Sequence, residues 1–284
     1  MTASRRAELA LLGVTLAWGL SFPAIKQGLV YAPPFTFLAA RFLLAFVLLL
    51  PLMGTRKPAW KGGLLLGFLV VISHYSQTWG LQYTTPTRSA FITGLSVVFV
   101  PMFYPLLARK RPGLLPTLGA VVAAVGLYLL TDPRGEGINR GDVATLFCAF
   151  GYAFYIIVLE NVTRKHPYRG VLFVQMMMLP LFTLVPASME SRDVQWGAPL
   201  LGIVLLAALI TVVTMYLQTR YQRDTTATKA AVIFTAEPVF AGLFSWLWFG
   251  EHMAPIQWVG GGVILAGILL SEIRPPRGLD GKAA

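Results

Sequence analysis

The sequence predicts an all-α polytopic membrane protein with ten transmembrane helices, arranged as two inverted five-helix repeats. Three observations lead there. Of 284 residues, 56% are hydrophobic and only 12% charged, whereas a soluble domain carries about 25% charged residues, so this chain needs lipid as its solvent. Lys and Arg fall in short groups between apolar runs, as they do in the loops of membrane proteins. Finally, most of the stretch from Tyr75 to Leu129 recurs 141 residues later, and self-similarity at a fixed offset marks a duplicated unit.

Ten segments approach the roughly 20 residues a bilayer requires: 8–28, 34–53, 62–82, 88–107, 113–131, 142–160, 169–189, 198–219, 226–249 and 255–273. Short connections rich in Pro, Gly and charge separate them, among them Ala32-Pro33-Pro34, Gly54-Thr55-Arg56-Lys57-Pro58, Arg111-Pro112-Gly113 and Arg134-Gly135-Glu136-Gly137. None could hold a soluble domain. The apolar runs do not alternate as barrel strands do. The first run is too long for a cleavable signal peptide and lacks a small-residue cleavage site.

With the N-terminus in the cytoplasm, 17 of the 23 Lys and Arg fall on inside segments, five fall outside, and Arg41 lies within the second helix. The outside five are Lys26, Arg88, Arg134, Arg140 and Arg192. This alternation checks the count of ten independently of hydropathy. It predicts a multi-pass protein with both termini cytoplasmic.

The repeat fixes the internal organisation. Thr84-Thr85-Pro86-Thr87-Arg88 returns as Thr225-Thr226-Ala227-Thr228-Lys229, Tyr75-Ser76-Gln77 as Tyr216-Leu217-Gln218, and Gly119 and Gly126 as Gly260 and Gly267. From Thr84 to Leu129, 13 of 46 positions are identical at that offset, and the polar matches are not a product of apolar composition. The expected units are residues 1–132 and 141–273, followed by a short cytoplasmic tail, 274–284. Five helices is an odd number, so the second unit enters the membrane from the opposite side. Inverted repeats suit alternating access around a site near the midplane.

Candidate site residues are polar or aromatic groups at helical depth. The third helix carries His74, Tyr75, Gln77, Thr78 and Trp79; Tyr75, Trp79 and Gln82 share one face, and His74, Gln77 and Thr78 the adjoining one. Exposing amides and imidazoles to lipid is costly, so these face protein or a wet cavity; interhelical hydrogen bonding is the plainer role. Glu237, followed by Pro238, lies about eight residues into the ninth helix and is a candidate for proton coupling. It could equally be a structural glutamate beside a proline, and its first-half counterpart is Ser96. Arg41, matched by Gln175 at an offset of 134, could meet a substrate carboxylate or serve structure. Trp18 and Ser21, with Tyr152, Tyr155 and Tyr216, complete the expected cavity set. Pro101, Pro105 and Pro238 are candidate bends.

Some chemistry is excluded. There is no Gly-x-x-x-x-Gly-Lys-Ser/Thr loop, no His-Glu-x-x-His and no Gly-x-Ser-x-Gly. The three histidines, His74, His166 and His252, are dispersed, and the one cysteine, Cys148, sits in an apolar run. No cofactor, metal, nucleic-acid partner or obligatory protein partner is expected, and no enzyme activity; the partners expected are the lipid bilayer and a small-molecule substrate.

Trp18-Gly19-Leu20-Ser21-Phe22 with Lys26, Ala39-Ala40-Arg41-Phe42, and Glu237-Pro238 with Phe249-Gly250-Glu251 together resemble the EamA family of the drug/metabolite transporter superfamily, over nearly the whole chain. The resemblance implies ten helices, a central cavity and export of amino acids or other metabolites, with the YddG-type exporters of aromatic and neutral amino acids looking nearest. The first half departs from the pattern: Arg109-Lys110 stands where the second has Gly250-Glu251, and Val97 where it has Pro238. Another cargo (a nucleotide sugar, a sugar or a cationic drug), an intramembrane enzyme and a non-transporting subunit remain alternatives.

Overall fold

The computed structural model describes residues 3–53, 57–109, 112–130, 138–250 and 254–272. Arg56, Lys110, Arg111, Arg134, Gly135, Glu136, Gly137, Glu251, His252 and the tail beyond 272 lie outside them. Twelve α-helices form ten spans, and no strand occurs among the described residues. The first half comprises α1 (Ala3–Tyr31), α2 (Pro34–Met53), α3 (Trp60–Gly80), α4 (Pro86–Gly94) with α5 (Ser96–Ala108), and α6 (Leu114–Leu130). The second comprises α7 (Arg140–Lys165), α8 (Tyr168–Ser188), α9 (Ala198–Tyr221), α10 (Ala227–Phe234) with α11 (Glu237–Phe249), and α12 (Pro255–Glu272). Seven spans are long and apolar enough to cross a membrane by composition alone; α6 and α12 are shorter, and α3, which carries more polar residues, falls in neither group.

The two halves run antiparallel. A Cβ on Gly119 of α6 would meet the Gly267 carbonyl oxygen of α12 at 2.6 Å, and one on Gly126 would meet that of Gly260 at 2.7 Å. As α6 advances, α12 therefore recedes. The repeat offset exchanges these two contacts with each other, so the relating axis is a two-fold perpendicular to the helices, in the membrane plane. Small residues here let the backbones touch, which substitutes for the absent hydrophobic drive between helices in lipid. The other packing obeys the same exchange: α1 lies on α9 as α3 lies on α7, and α1 on α11 as α7 on α5.

The fourth and ninth spans are expected as single helices, yet each is broken at the same place. Leu95 separates α4 from α5, and its repeat partner Ala236, with Thr235, separates α10 from α11. The N–H groups at both breaks turn to three-residue hydrogen bonds, Leu95 to Ile92 and Ala236 to Ile233. In the second half Pro238 has no N–H for the Phe234 carbonyl, which frees that turn. The first half breaks without a proline at Val97, after Gly94, a weak helix former. Pro101 and Pro105 lie inside α5, downstream of the break.

The ends of these spans are duplicated too. The Thr85 hydroxyl accepts from Arg88 N at 3.2 Å, and the Thr226 hydroxyl from Lys229 N at 3.3 Å, so the recurring Thr-Thr pair is a repeated N-cap. At the far ends, Arg109 (φ 53°) and Gly250 (φ 68°) both cap in the left-handed region. Glycine adopts it freely; arginine does so at a cost.

Candidate functional site

The two breaks meet at the centre of the bundle. There a cavity of about 20 Å³, room for about one water, lies between them. Its lining comes in repeat pairs: Thr93 and Ser96 from the first break, Phe234 and Glu237 from the second. Helices α1 and α7 add Trp18, Ser21, Tyr152 and Ile156, α2 adds Arg41, and α3 adds His74 and Gln77.

Aromatic rings form the walls. Trp18 packs on Tyr152 at 5.7 Å between centroids and on Phe234 at 5.0 Å. His74 lies 5.8 Å from Tyr152 and 5.2 Å from Phe42. Its Nδ1 is 3.0 Å from the Val70 carbonyl oxygen and its Nε2 3.4 Å from the Tyr152 hydroxyl, so the donor Nδ1 sets Nε2 as the acceptor. Ser21 donates to the Trp18 carbonyl at 2.7 Å, and Gln77 to the Thr93 hydroxyl at 3.3 Å.

Two polar groups here are incompletely used. Arg41 is 2% exposed; its Nε donates to the Thr211 hydroxyl at 2.8 Å, while Nη1 has no partner. Glu237, 5% exposed, opens α11 at its first position, where the helix dipole favours a negative charge. Among the described residues neither Arg41 nor Glu237 takes part in an ion pair. One cation and one carboxyl thus line one cavity without closing on each other.

Towards each membrane face an acid on α7 ties neighbouring spans together. On the face opposite the N-terminus, Asp142 accepts from Thr84 at 3.0 Å and pairs with Arg88 at 2.6 Å, while Lys26 holds the Leu81 and Thr84 carbonyls at 2.6 and 2.9 Å. On the N-terminal face, Glu160 accepts from Ala227 N at 2.7 Å and pairs with Arg164 at 2.9 Å. Both acids are buried. Eighteen residues of helix separate them, about 27 Å, close to the thickness of the hydrocarbon core. Each set of ties grips the beginning of one broken span.

Of the expected residues, Trp18, Ser21, His74, Gln77 and Tyr152 come together here with Arg41 and Glu237. Tyr75 and Trp79 do not: they line a separate cleft with Phe35, Arg140 and Phe147, and the Tyr75 hydroxyl donates to the Phe182 carbonyl. The two faces of α3 assigned to one wall thus point to different spaces, because Tyr75 is rotated about 100° from His74. Thr78 is buried with its hydroxyl unpartnered, outside the cavity lining. Tyr155 is buried behind Tyr152 and donates to Gln175 Oε1 at 3.4 Å. Tyr216 packs against Tyr168 at 5.9 Å, near the N-terminal face. Sequence reasoning missed Thr93, Ile156 and Phe234 as lining, and treated Ser96 only as the counterpart of Glu237. The repeat offset already pairs Thr93 with Phe234, so the signal was present.

The EamA-like transporter family matches residues 5–132 and again 139–273. An uncharacterized transporter of Archaeoglobus fulgidus is 31% identical over 269 residues, covering 94% of this chain and 86% of its own. The uncharacterized transporter YdfC of Bacillus subtilis is 25% identical over 273 residues, covering 90% and 88%. A crystal structure superposes with a TM-score of 0.77 at 17% identity, covering 94% of this chain and 96% of that one, a likeness of fold. With matches over both halves of a ten-span bundle, the chain belongs to the EamA-like transporter family.

Proposed function

We propose that the chain exports neutral and aromatic amino acids across a bacterial inner membrane, as YddG-type carriers do, by alternating access between halves 1–132 and 141–273, with 274–284 as a cytoplasmic tail. The reading rests on one observation: Arg41, with Nη1 unpartnered, and Glu237 line the same cavity. A zwitterion supplies a carboxylate for the guanidinium, which recognises it through a planar fork, and an ammonium for the carboxyl. Trp18, Tyr152 and Phe234 offer ring faces to its side chain, with Ser21, His74 and Gln77 as polar contacts. A volume of about 20 Å³ is too small for any amino acid, so loading requires the ties at one end to open. Breaking the Asp142 ties opens one side; breaking the Glu160 ties opens the other. In this reading both termini are cytoplasmic, no cofactor or obligatory protein partner takes part, and no covalent chemistry is catalysed.

Counterflow into liposomes holding only this chain tests the proposal. Labelled tryptophan, phenylalanine or leucine is expected to exchange, whereas tryptamine, without the carboxylate, and indole propionate, without the amine, are not. Exchange of a sugar or cationic drug with none of an amino acid would overturn the cargo. No flux of any solute, with the protein folded, would overturn transport by this chain alone.

A further inference from the structure

The fold produces a cleft at each end of the bundle. The cleft on the face opposite the N-terminus, about 600 Å³, is walled by Phe35, Tyr75, Trp79 and Phe147, with Arg140 as its one cation; Arg140 sits over the Tyr83 ring at 3.6 Å. The cleft on the N-terminal face, about 630 Å³, lies between the α7–α8 turn and the end of α9. The first cleft is largely apolar and the second is cationic.

Five cations converge there: Arg164, Lys165, Arg169, Arg220 and Arg223. Two acids offset part of that charge. Glu160 takes Arg164, and Asp224 takes Arg220 at 3.4 Å and Arg223 at 3.6 Å. Among the described residues no acid pairs with Lys165 or Arg169. Arg169 and Arg220 bracket the Tyr168 ring at 5.9 and 5.3 Å, and Arg169 Nε donates to the Tyr168 hydroxyl at 3.2 Å, which holds both guanidinium groups over one aromatic platform. The cleft lies where spans end, at headgroup depth, and tyrosine is the residue of that interface. Basic pockets between helix ends attract anionic headgroups, and guanidinium forks match phosphate oxygens.

We propose that this cleft binds the phosphodiester headgroup of an anionic phospholipid, its oxygens held by Lys165, Arg169 and Arg220 and its glycerol end against Tyr168 and Tyr216. A lipid fits better than a soluble anion because Tyr216, packed on Tyr168 at 5.9 Å, leads from the charged turn towards the apolar stretch of α9.

The test is native mass spectrometry of the purified full chain, titrated with phosphatidylglycerol and, separately, phosphatidylcholine. The wild type is expected to retain phosphatidylglycerol preferentially. The double variant K165Q/R169Q, changed at side chains outside the core, should lose about tenfold or more in retention, while K165R/R169K keeps most of it. The control K57Q/K61Q, exposed on the same face, should behave as wild type. Equal losses in both glutamine variants would reduce the site to diffuse surface charge and overturn the proposal, as would unchanged retention in K165Q/R169Q. Displacement of the lipid by millimolar inorganic phosphate would reassign the cleft to a soluble anion and overturn it too.

Discussion

Replacing Arg41 with methionine separates binding from scaffolding. The substitution keeps most of the buried volume and removes a charge that is 2% exposed and has no carboxylate partner. One charge-assisted hydrogen bond is lost, Nε to the Thr211 hydroxyl at 2.8 Å, worth about 1.5–3 kcal/mol. Thr211 keeps its own bond to the Ala207 carbonyl at 2.8 Å, so no new orphan is left. Against that loss, the unpartnered Nη1 no longer has to be desolvated, a relief of about 1–3 kcal/mol, and replacing an unpaired buried charge by an apolar side chain is often neutral or stabilising. Stability should therefore change by no more than about 2 kcal/mol. Substrate binding should suffer far more: removing one member of a buried charge pair costs about 2–5 kcal/mol, roughly 30-fold to several thousand-fold in affinity. Thermal unfolding in detergent gives the first quantity and concentration-dependent counterflow in proteoliposomes the second. An Arg41→Met protein that unfolds well below wild type, yet exchanges amino acids with wild-type affinity wherever it is folded, would make Arg41 a structural residue and refute the reasoning.

Further predictions follow from the same geometry. Glu237→Gln keeps shape but removes the charge proposed to meet the substrate ammonium; exchange of amino acids should weaken about 30-fold or more, and exchange with wild-type affinity would clear Glu237 of substrate contact. Arg109→Gly should raise stability by about 1 kcal/mol, and Gly250→Ala lower it by a similar amount, since both positions are left-handed; chemical unfolding of the two variants checks the pair. Gly267→Leu drives a side chain into the Gly119 carbonyl and the Ala123 backbone, 2.7 and 2.8 Å from its Cβ, so α6 and α12 must part and expression or unfolding temperature should fall sharply. Because Cys148 is fully buried, the wild type should be silent to impermeant thiol reagents. Ser191→Cys should then label in intact cells and Lys61→Cys only after permeabilisation, and the reverse pattern would invert the proposed orientation.

What the sequence determined by itself was the membrane class, the duplication and the antiparallel sense of the halves. These follow from hydropathy, charge alternation and an odd helix count, all properties of linear order. The repeated Thr-Thr cap was legible as a repeat before its hydrogen bonds were known, and Glu237, Arg41 and His74 were conspicuous because polar groups at that depth are expensive. Only the tertiary structure decided which of them share a space. Helical phase on α3 groups residues by face but does not say what each face meets, and the packing sends His74 to the central cavity and Tyr75 to a peripheral cleft. The break at Leu95, without a proline to announce it, and the ties that two acids make from opposite ends of α7 arise from contacts between segments far apart in the chain. Such contacts depend on how spans are juxtaposed across the two-fold, and no local pattern of residues encodes that.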